Sequence, residues 1–93
     1  MSDAWVYVLC CRDGSLYTGW TNDLERRISR HAQGKASRYT ASRLPVELAA
    51  AWPMQDRGAA MREEARIKRL SRAEKLALLQ REGAQAPLPA FAG

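Results

Sequence analysis

The sequence predicts one α+β domain over residues 1–83, a small three-stranded antiparallel or mixed sheet flanked by helices in the order β-β-α-β-α-α. Three observations predict it. Two runs of β-forming residues, 4–11 and 15–20, are parted by the turn signal Asp13-Gly14. A third such run, Val46 to Trp52, lies between Pro45 and Pro53. Helix-start residues stand ahead of the polar, periodic segments that fill the remainder.

The first run, Ala-Trp-Val-Tyr-Val-Leu-Cys-Cys, is apolar almost throughout and reads as a strand buried on both faces. Residues 15–20 return from it as a hairpin. If Asp13-Gly14 alone is the loop, strand alternation puts Tyr7 and Tyr17 on opposite faces. If Arg12-Asp13-Gly14 is the loop, with Gly14 left-handed at its end, Tyr17 opposes Leu9 and the two tyrosines share a face. A joint tyrosine site therefore requires the three-residue loop. Thr21, Asn22 and Asp23 offer caps to a first helix, and Asn22 with Glu25 resembles a capping box. Leu24, Ile28 and Ala32 form its expected buried stripe, and Gly34 its stop. Residues 35–45 read as a basic, polar loop. Val46 to Trp52 reads as the third strand, ended by Pro53. Asp56 caps a second helix running to about Leu70, and Ser71 with Glu74 is a true capping box for a third helix ending near Gly83. Residues 84–93, with Pro87 and Pro89, read as a flexible tail.

The chain has 93 residues, 46% apolar and 27% charged, a globular composition. No apolar run approaches the ~20 residues of a membrane span. The N-terminus lacks the profile of a signal peptide. Cys10 and Cys11 are adjacent and offer neither a disulfide framework nor a spaced metal site. A reduced, cytoplasmic protein is expected. A core this small supplies only ~3–5 kcal/mol, so an active site should be a surface groove. The net charge of +5 is concentrated. Residues 21–43 carry six bases against two acids, and 57–82 carry eight against four. Twelve of the fifteen bases are arginine, whose planar fork suits phosphate, although a solvated helix surface reads the same way.

Few residues could carry chemistry. Tyr7 and Tyr17 sit on the hairpin strands, where tyrosine often only packs. Arg27 and His31, four apart, share one helix face on the flank of the buried stripe. Glu64 falls on the apolar side of its helix, among Ala60, Met61 and Ile67, while Glu63 lies nearer the arginine side. A carboxylate so placed needs a cation, a metal or a donor. An ion pair with Lys68, one turn on, would meet that need structurally.

The ordered set of segments resembles the GIY-YIG nuclease superfamily, and most its small stand-alone bacterial members. The match runs from Trp5 to about Leu79. It comprises Trp5-Val6-Tyr7, Tyr17-Thr18-Gly19, the helix segment from Asn22 to His31, the loop Arg38-Tyr39-Thr40, Leu44-Pro45-Val46 and Glu64-Ala65-Arg66-Ile67-Lys68. The resemblance implies that Tyr7 and Tyr17 are the two signature tyrosines. It implies that Arg27 contacts the scissile phosphate, that His31 assists, and that Glu64 binds a single divalent ion, Mg²⁺ or Mn²⁺. Gly19 would clear the substrate's approach. Arg26, Arg30, Lys35, Arg38, Tyr39, Arg43 and Lys68 would contact nucleic acid. Two departures stand out: Trp5 replaces the first-signature glycine, and Trp20 stands where some repair nucleases carry lysine.

The activity so implied is metal-dependent hydrolysis of DNA phosphodiester bonds, in repair, recombination or processing. Tyr7 would be the base and Tyr17 would order the water or phosphate. The reverse assignment, or His31 as the direct base, fits the residues too. The DNA could be branched, nicked or single-stranded, the protein a monomer or weak dimer, and any targeting element would come from a partner. A catalytically weak nucleic-acid-binding module is the alternative. A protein-interaction module would use Trp20 and Trp52 if these were exposed.

Overall fold

The structure, a computed structural model, describes residues 4–82. The expected tail, 84–93, lies outside the described residues. β1 (Ala4–Cys11) is the central strand, because its continuous apolar run has partners on both edges. β2 (Leu16–Thr21) and β3 (Val46–Met54) pair with it antiparallel, in the order β2-β1-β3. The hairpin uses the three-residue loop. Cys11 N–H donates to the Ser15 carbonyl at 2.9 Å, and Gly14 stands at φ +83°. Tyr7 is thereby opposite Gly19, and Leu9 opposite Tyr17.

One face of the sheet packs Tyr7, Leu9, Cys11, Val46, Leu48 and Ala51 against Ile28 of α1 (Leu24–Ala32). The other packs Val6, Val8, Ala50 and Trp52 against Ala60 and Ile67 of α3 (Arg57–Lys68) and Leu78 of α4 (Arg72–Glu82). A register shift at Val8/Leu9 leaves Ala49 as an extra residue in β3 and so changes which residues face which layer.

The helix starts follow side-chain chemistry. Asp56 accepts from Ala59 N–H at 2.8 Å, and Ser71 and Glu74 form the reciprocal box at 3.2 and 2.9 Å. Other expectations are corrected. The cap of α1 is Asp23, accepting from Arg26 N–H, rather than an Asn22–Glu25 box. The buried stripe of α1 is Ile28 and His31 beside half-buried Leu24, while Ala32 is exposed. The segment 35–45 is more than a loop. Ser37 caps a short helix, α2 (Arg38–Ala41), which adds one element to the expected order. β3 continues through Pro53 to Met54, since an edge strand can present a residue that lacks an N–H outward. On α3, Met61 faces solvent at 53% exposure and is no part of the apolar face. Trp52 is buried and Trp20 packs partly against the same cluster, which removes the exposed tryptophan pair that an interaction module needs. No helix among the described residues is long and apolar enough to cross a membrane.

Candidate active site

The site begins with Tyr7. Its ring runs across β2 over Gly19, where a Cβ would lie 2.5 Å from the phenol oxygen and 2.6 Å from Cζ. Only glycine leaves this path open. Gly19 thus makes room for Tyr7, and it is this phenol, rather than an approaching substrate, that a side chain there would meet first.

The Tyr7 hydroxyl, with no exposed surface, meets two groups from α1. Arg27 Nε–H donates to it at 3.3 Å, and His31 Nε2 stands 2.7 Å away. Arg27 and His31 are one turn apart, so a single helix face delivers both. The far nitrogen of His31, Nδ1, is 2.9 Å from Thr40 Oγ1, itself fully buried and 3.1 Å from Ser37 Oγ. The four-residue α2 exists to place this pair: Ser37 Oγ accepts from Thr40 N–H while the two hydroxyls meet.

Tyr17 lies edge-on to the His31 ring at 5.2 Å between centroids, as Tyr7 does at 5.5 Å. Its hydroxyl has no hydrogen-bond partner among the described residues and is therefore open to water or substrate. Tyr39 stacks on Tyr17 at 6.0 Å, and the Arg43 guanidinium sits 3.8 Å above the Tyr39 ring. Glu64 arrives from the opposite layer on α3, half-buried between Ala60 and Ile67 in the helix sequence. Its charge acts on both the Tyr7 phenol and the Arg27 guanidinium.

These surroundings set the protonation states. Burial pushes the Tyr7 phenol up to about 12, with Tyr17 and Glu64 adding to the rise and Arg27 pulling against it. Left to itself, Tyr7 keeps its proton at neutral pH. The bond to Tyr7 raises Arg27 above its ordinary range and keeps it cationic. Burial, and then the Arg27 charge, lower His31 to about 4. His31 is neutral at pH 7 and, like Tyr7, has no exposed surface, so either exchanges a proton only through a group brought into direct contact with it. A stability prediction follows. Between pH 6.5 and about 4 the unfolded histidine binds a proton and the folded one does not, so stability is full above 6.5 and falls as pH drops through that window. The full loss is about 3 kcal/mol at 1.36 kcal/mol per pH unit. Chemical denaturation of the wild type and of His31→Gln at pH 7 and 5 checks it. The variant should lose this slope, and an equal slope in both would refute the assignment.

A divalent cation fits the residues present. The Glu64 carboxylate is a hard oxygen donor whose one contact among the described residues is Lys68 Nζ at 3.6 Å, a half-exposed pair worth only ~0–1 kcal/mol. Mg²⁺ typically takes one or two carboxylates and retains waters. No cluster of three or more His, Cys, Asp or Glu occurs among the described residues, so a closed protein cage is not the arrangement here. Glu63, by contrast, is held in a two-pronged pair with Arg66 at 2.7 Å, which lowers its pKa.

The comparison with known proteins decides the family. The model for the GIY-YIG catalytic domain matches residues 3–77. The chain belongs to the GIY-YIG nuclease family. Members are generally endonucleases and typically use divalent metals. Among its relatives is the UPF0213 protein XAC3202 of Xanthomonas axonopodis pv. citri, 52% identical over 75 residues, or 81% of this chain and 74% of that protein. The UPF0213 protein BH0048 of Halalkalibacterium halodurans is 47% identical over 79 residues, 85% of this chain and 84% of that one. Its solution NMR structure superposes with a TM-score of 0.59 at 45% identity, over 88% of this chain and 87% of that chain. The protein EF2693 of E. faecalis gives 0.56 at 33% identity, over 86% and 90%.

Within this GIY-YIG domain the expected contact residues divide. Arg26 and Arg30 line a cleft of about 420 Å³ with Arg27, Thr21, Asn22 and Asp23. Lys35 and Arg38 line a different depression, beside Ser37. Arg43 is engaged structurally: it pairs with Asp13 at 3.0 Å and donates to the Tyr39 carbonyl, tying the hairpin turn to α2. Lys68 is engaged by Glu64. Trp20 lines a second cleft of about 330 Å³ with Asn22, Arg27 and Arg57. Sequence reasoning passed over Thr40, Ser37 and Arg57. For the first two the spacing Ser37-x-x-Thr40, a cap signal inside a supposed loop, was the available clue.

Proposed function

We propose that the chain is a metal-dependent endonuclease that hydrolyses DNA phosphodiester bonds in the groove framed by Tyr7, Tyr17, Arg27, His31 and Glu64. The observation that carries this reading is the Tyr7 hydroxyl, joined to a cation on one side and to a neutral, buried imidazole on the other. Such a hydroxyl can take a proton from an attacking water while passing its own to His31, so that no bare phenolate forms; the negative phosphate at Arg27 would offset the charge that disfavours the imidazolium. Arg27, which lines the cleft, neutralises charge growing on the phosphorane. Tyr17 orders the water or a phosphate oxygen. Bound at Glu64, Mg²⁺ or Mn²⁺ would supply Lewis-acid stabilisation of a non-bridging oxygen and of the leaving 3′-oxygen. Arg26 and Arg30 would hold the neighbouring backbone. A single site cuts one strand at a time, which suits repair, recombination or processing of branched or nicked DNA in the cytoplasm.

The Glu64–Lys68 pair favours a second reading, in which the carboxylate is structural and the chain is a weakly catalytic binding module. Purified protein and Glu64→Ala, incubated with supercoiled and branched DNA in Mg²⁺ or Mn²⁺, separate the two. Metal-dependent nicking, lowered about 10³-fold in the variant, is the expected result for a contribution of several kcal/mol. Cleavage untouched by the substitution would remove the metal role. Binding without cleavage of any substrate would establish the second reading.

A further inference from the structure

Thr40 has no exposed surface, and its hydroxyl stands between Ser37 and His31, whose other ring nitrogen meets Tyr7. A count of donors shows what it does. Arg27 can only donate, so the Tyr7 oxygen is the acceptor of that bond. The remaining Tyr7 O–H has one acceptor in reach among the described residues, His31 Nε2 at 2.7 Å. A neutral imidazole then carries its single proton on Nδ1 and donates it to Thr40 Oγ1 at 2.9 Å. Thr40 passes its own O–H to Ser37, whose carbonyl lies at 3.4 Å and hydroxyl at 3.1 Å. Each donor in the chain finds an acceptor. In the opposite tautomer, Nε2–H and Arg27 Nε–H would both point at the Tyr7 oxygen. The Tyr7 O–H would then be stranded in a buried site, an arrangement folded proteins avoid.

We propose that Thr40 is a positioning residue of this site: by accepting the Nδ1–H it holds His31 in the tautomer that presents a bare Nε2 to Tyr7. The catalytic consequence rests on the nuclease reading, whereas the tautomer does not. In the reaction, the oxygen of the attacking water bonds to phosphorus and the P–O3′ bond breaks. The water's proton moves to Tyr7 as the phenolic proton moves to Nε2, and the leaving oxygen takes a proton from solvent. His31 is then an imidazolium with both N–H groups donated, to Tyr7 and to Thr40, until the proton returns through Tyr7 to the next water that enters against it. Thr40 thus serves both states of the ring without moving, as the carboxylate of a catalytic triad does, but without a negative charge.

His31 is the only histidine, so ¹⁵N-labelled, untagged protein displays one pair of ring nitrogens. A long-range ¹H–¹⁵N spectrum at pH 7 should show Nδ1 protonated and Nε2 bare. Thr40→Val keeps the shape and removes the acceptor. It should convert His31 to the Nε2–H form and slow nicking about 100-fold, the lower end of general-base contributions. Thr40→Ser should restore the tautomer and most of the rate. A wild-type spectrum of the Nε2–H form overturns the proposal, as does a Thr40→Val protein with unchanged tautomer and rate. If Thr40→Val does not fold, the wild-type spectrum and Thr40→Ser decide. If the tautomer responds as expected but the wild type cuts no DNA, the placement by Thr40 stands and the nuclease reading falls.

Discussion

Tyr7→Phe is expected to lower DNA cleavage by about 10² to 10⁴-fold, the range a positioned general base contributes, while leaving the fold in place. The phenylalanine ring follows the same path over Gly19 and keeps the apolar contacts of Tyr7. What it removes is the hydroxyl that joins Arg27 to His31. His31 Nε2 loses its buried partner, which costs about 1–3 kcal/mol. Arg27 loses the acceptor of only one of its N–H donors and can turn toward the cleft. Tyr17→Phe is the control. Its hydroxyl bonds to no described residue, so melting should be unchanged and any loss of rate comes from substrate handling. Single-turnover nicking beside thermal melts checks both. A Tyr7→Phe protein that cleaves within about threefold of wild type would exclude Tyr7 from the proton path, and a collapse in Tyr17→Phe alone would reverse the two roles.

Gly19→Ala should be nearly as damaging, and for a different reason. The new methyl would sit 2.5 Å from the Tyr7 oxygen, closer than any real contact. Either the strand or the ring must shift, and overpacking of this kind costs about 1–3 kcal/mol. The ring can turn about its side-chain torsions whereas the strand is held by its ladder to β1, so the hydroxyl should leave His31 and Arg27. Cleavage should fall toward the Tyr7→Phe level. A double-mutant cycle isolates the cause: in a Tyr7→Ala background the stability cost of Gly19→Ala should nearly vanish, because the clashing atoms are gone. Additive costs would place the requirement for glycine in the backbone of β2 instead.

Local chemistry made much of the fold readable. Asp56, Ser71 with Glu74, and Gly14 act through bonds within a few residues, so their positions along the chain suffice to place two helix starts and a tight turn. The hairpin shows where such reasoning stops. Both loop lengths suit Arg12-Asp13-Gly14-Ser15, and only the register with Tyr7 opposite Gly19 puts the tyrosines on one face. The α1 stripe misled for a related reason. Periodicity counts apolar residues and so selects Ala32, but the buried position belongs to His31, whose polarity is met by Tyr7 and Thr40 from distant segments. Pro53 misled because a proline ends a strand only where its missing N–H is needed, and β3 is an edge.

By itself, the sequence determined the α+β class, the capped helices, the concentration of arginine and the choice of five candidate groups, four of which, Tyr7, Tyr17, Arg27 and His31, the structure brings together. Each of these depends on residue type and short-range spacing. Tertiary structure alone decided how those groups behave. Burial makes Tyr7 a poor acid and His31 a neutral acceptor, and it draws Thr40 out of a supposed loop into contact with the lone histidine. Protonation and tautomer depend on desolvation and on partners many residues away, and no local pattern encodes either.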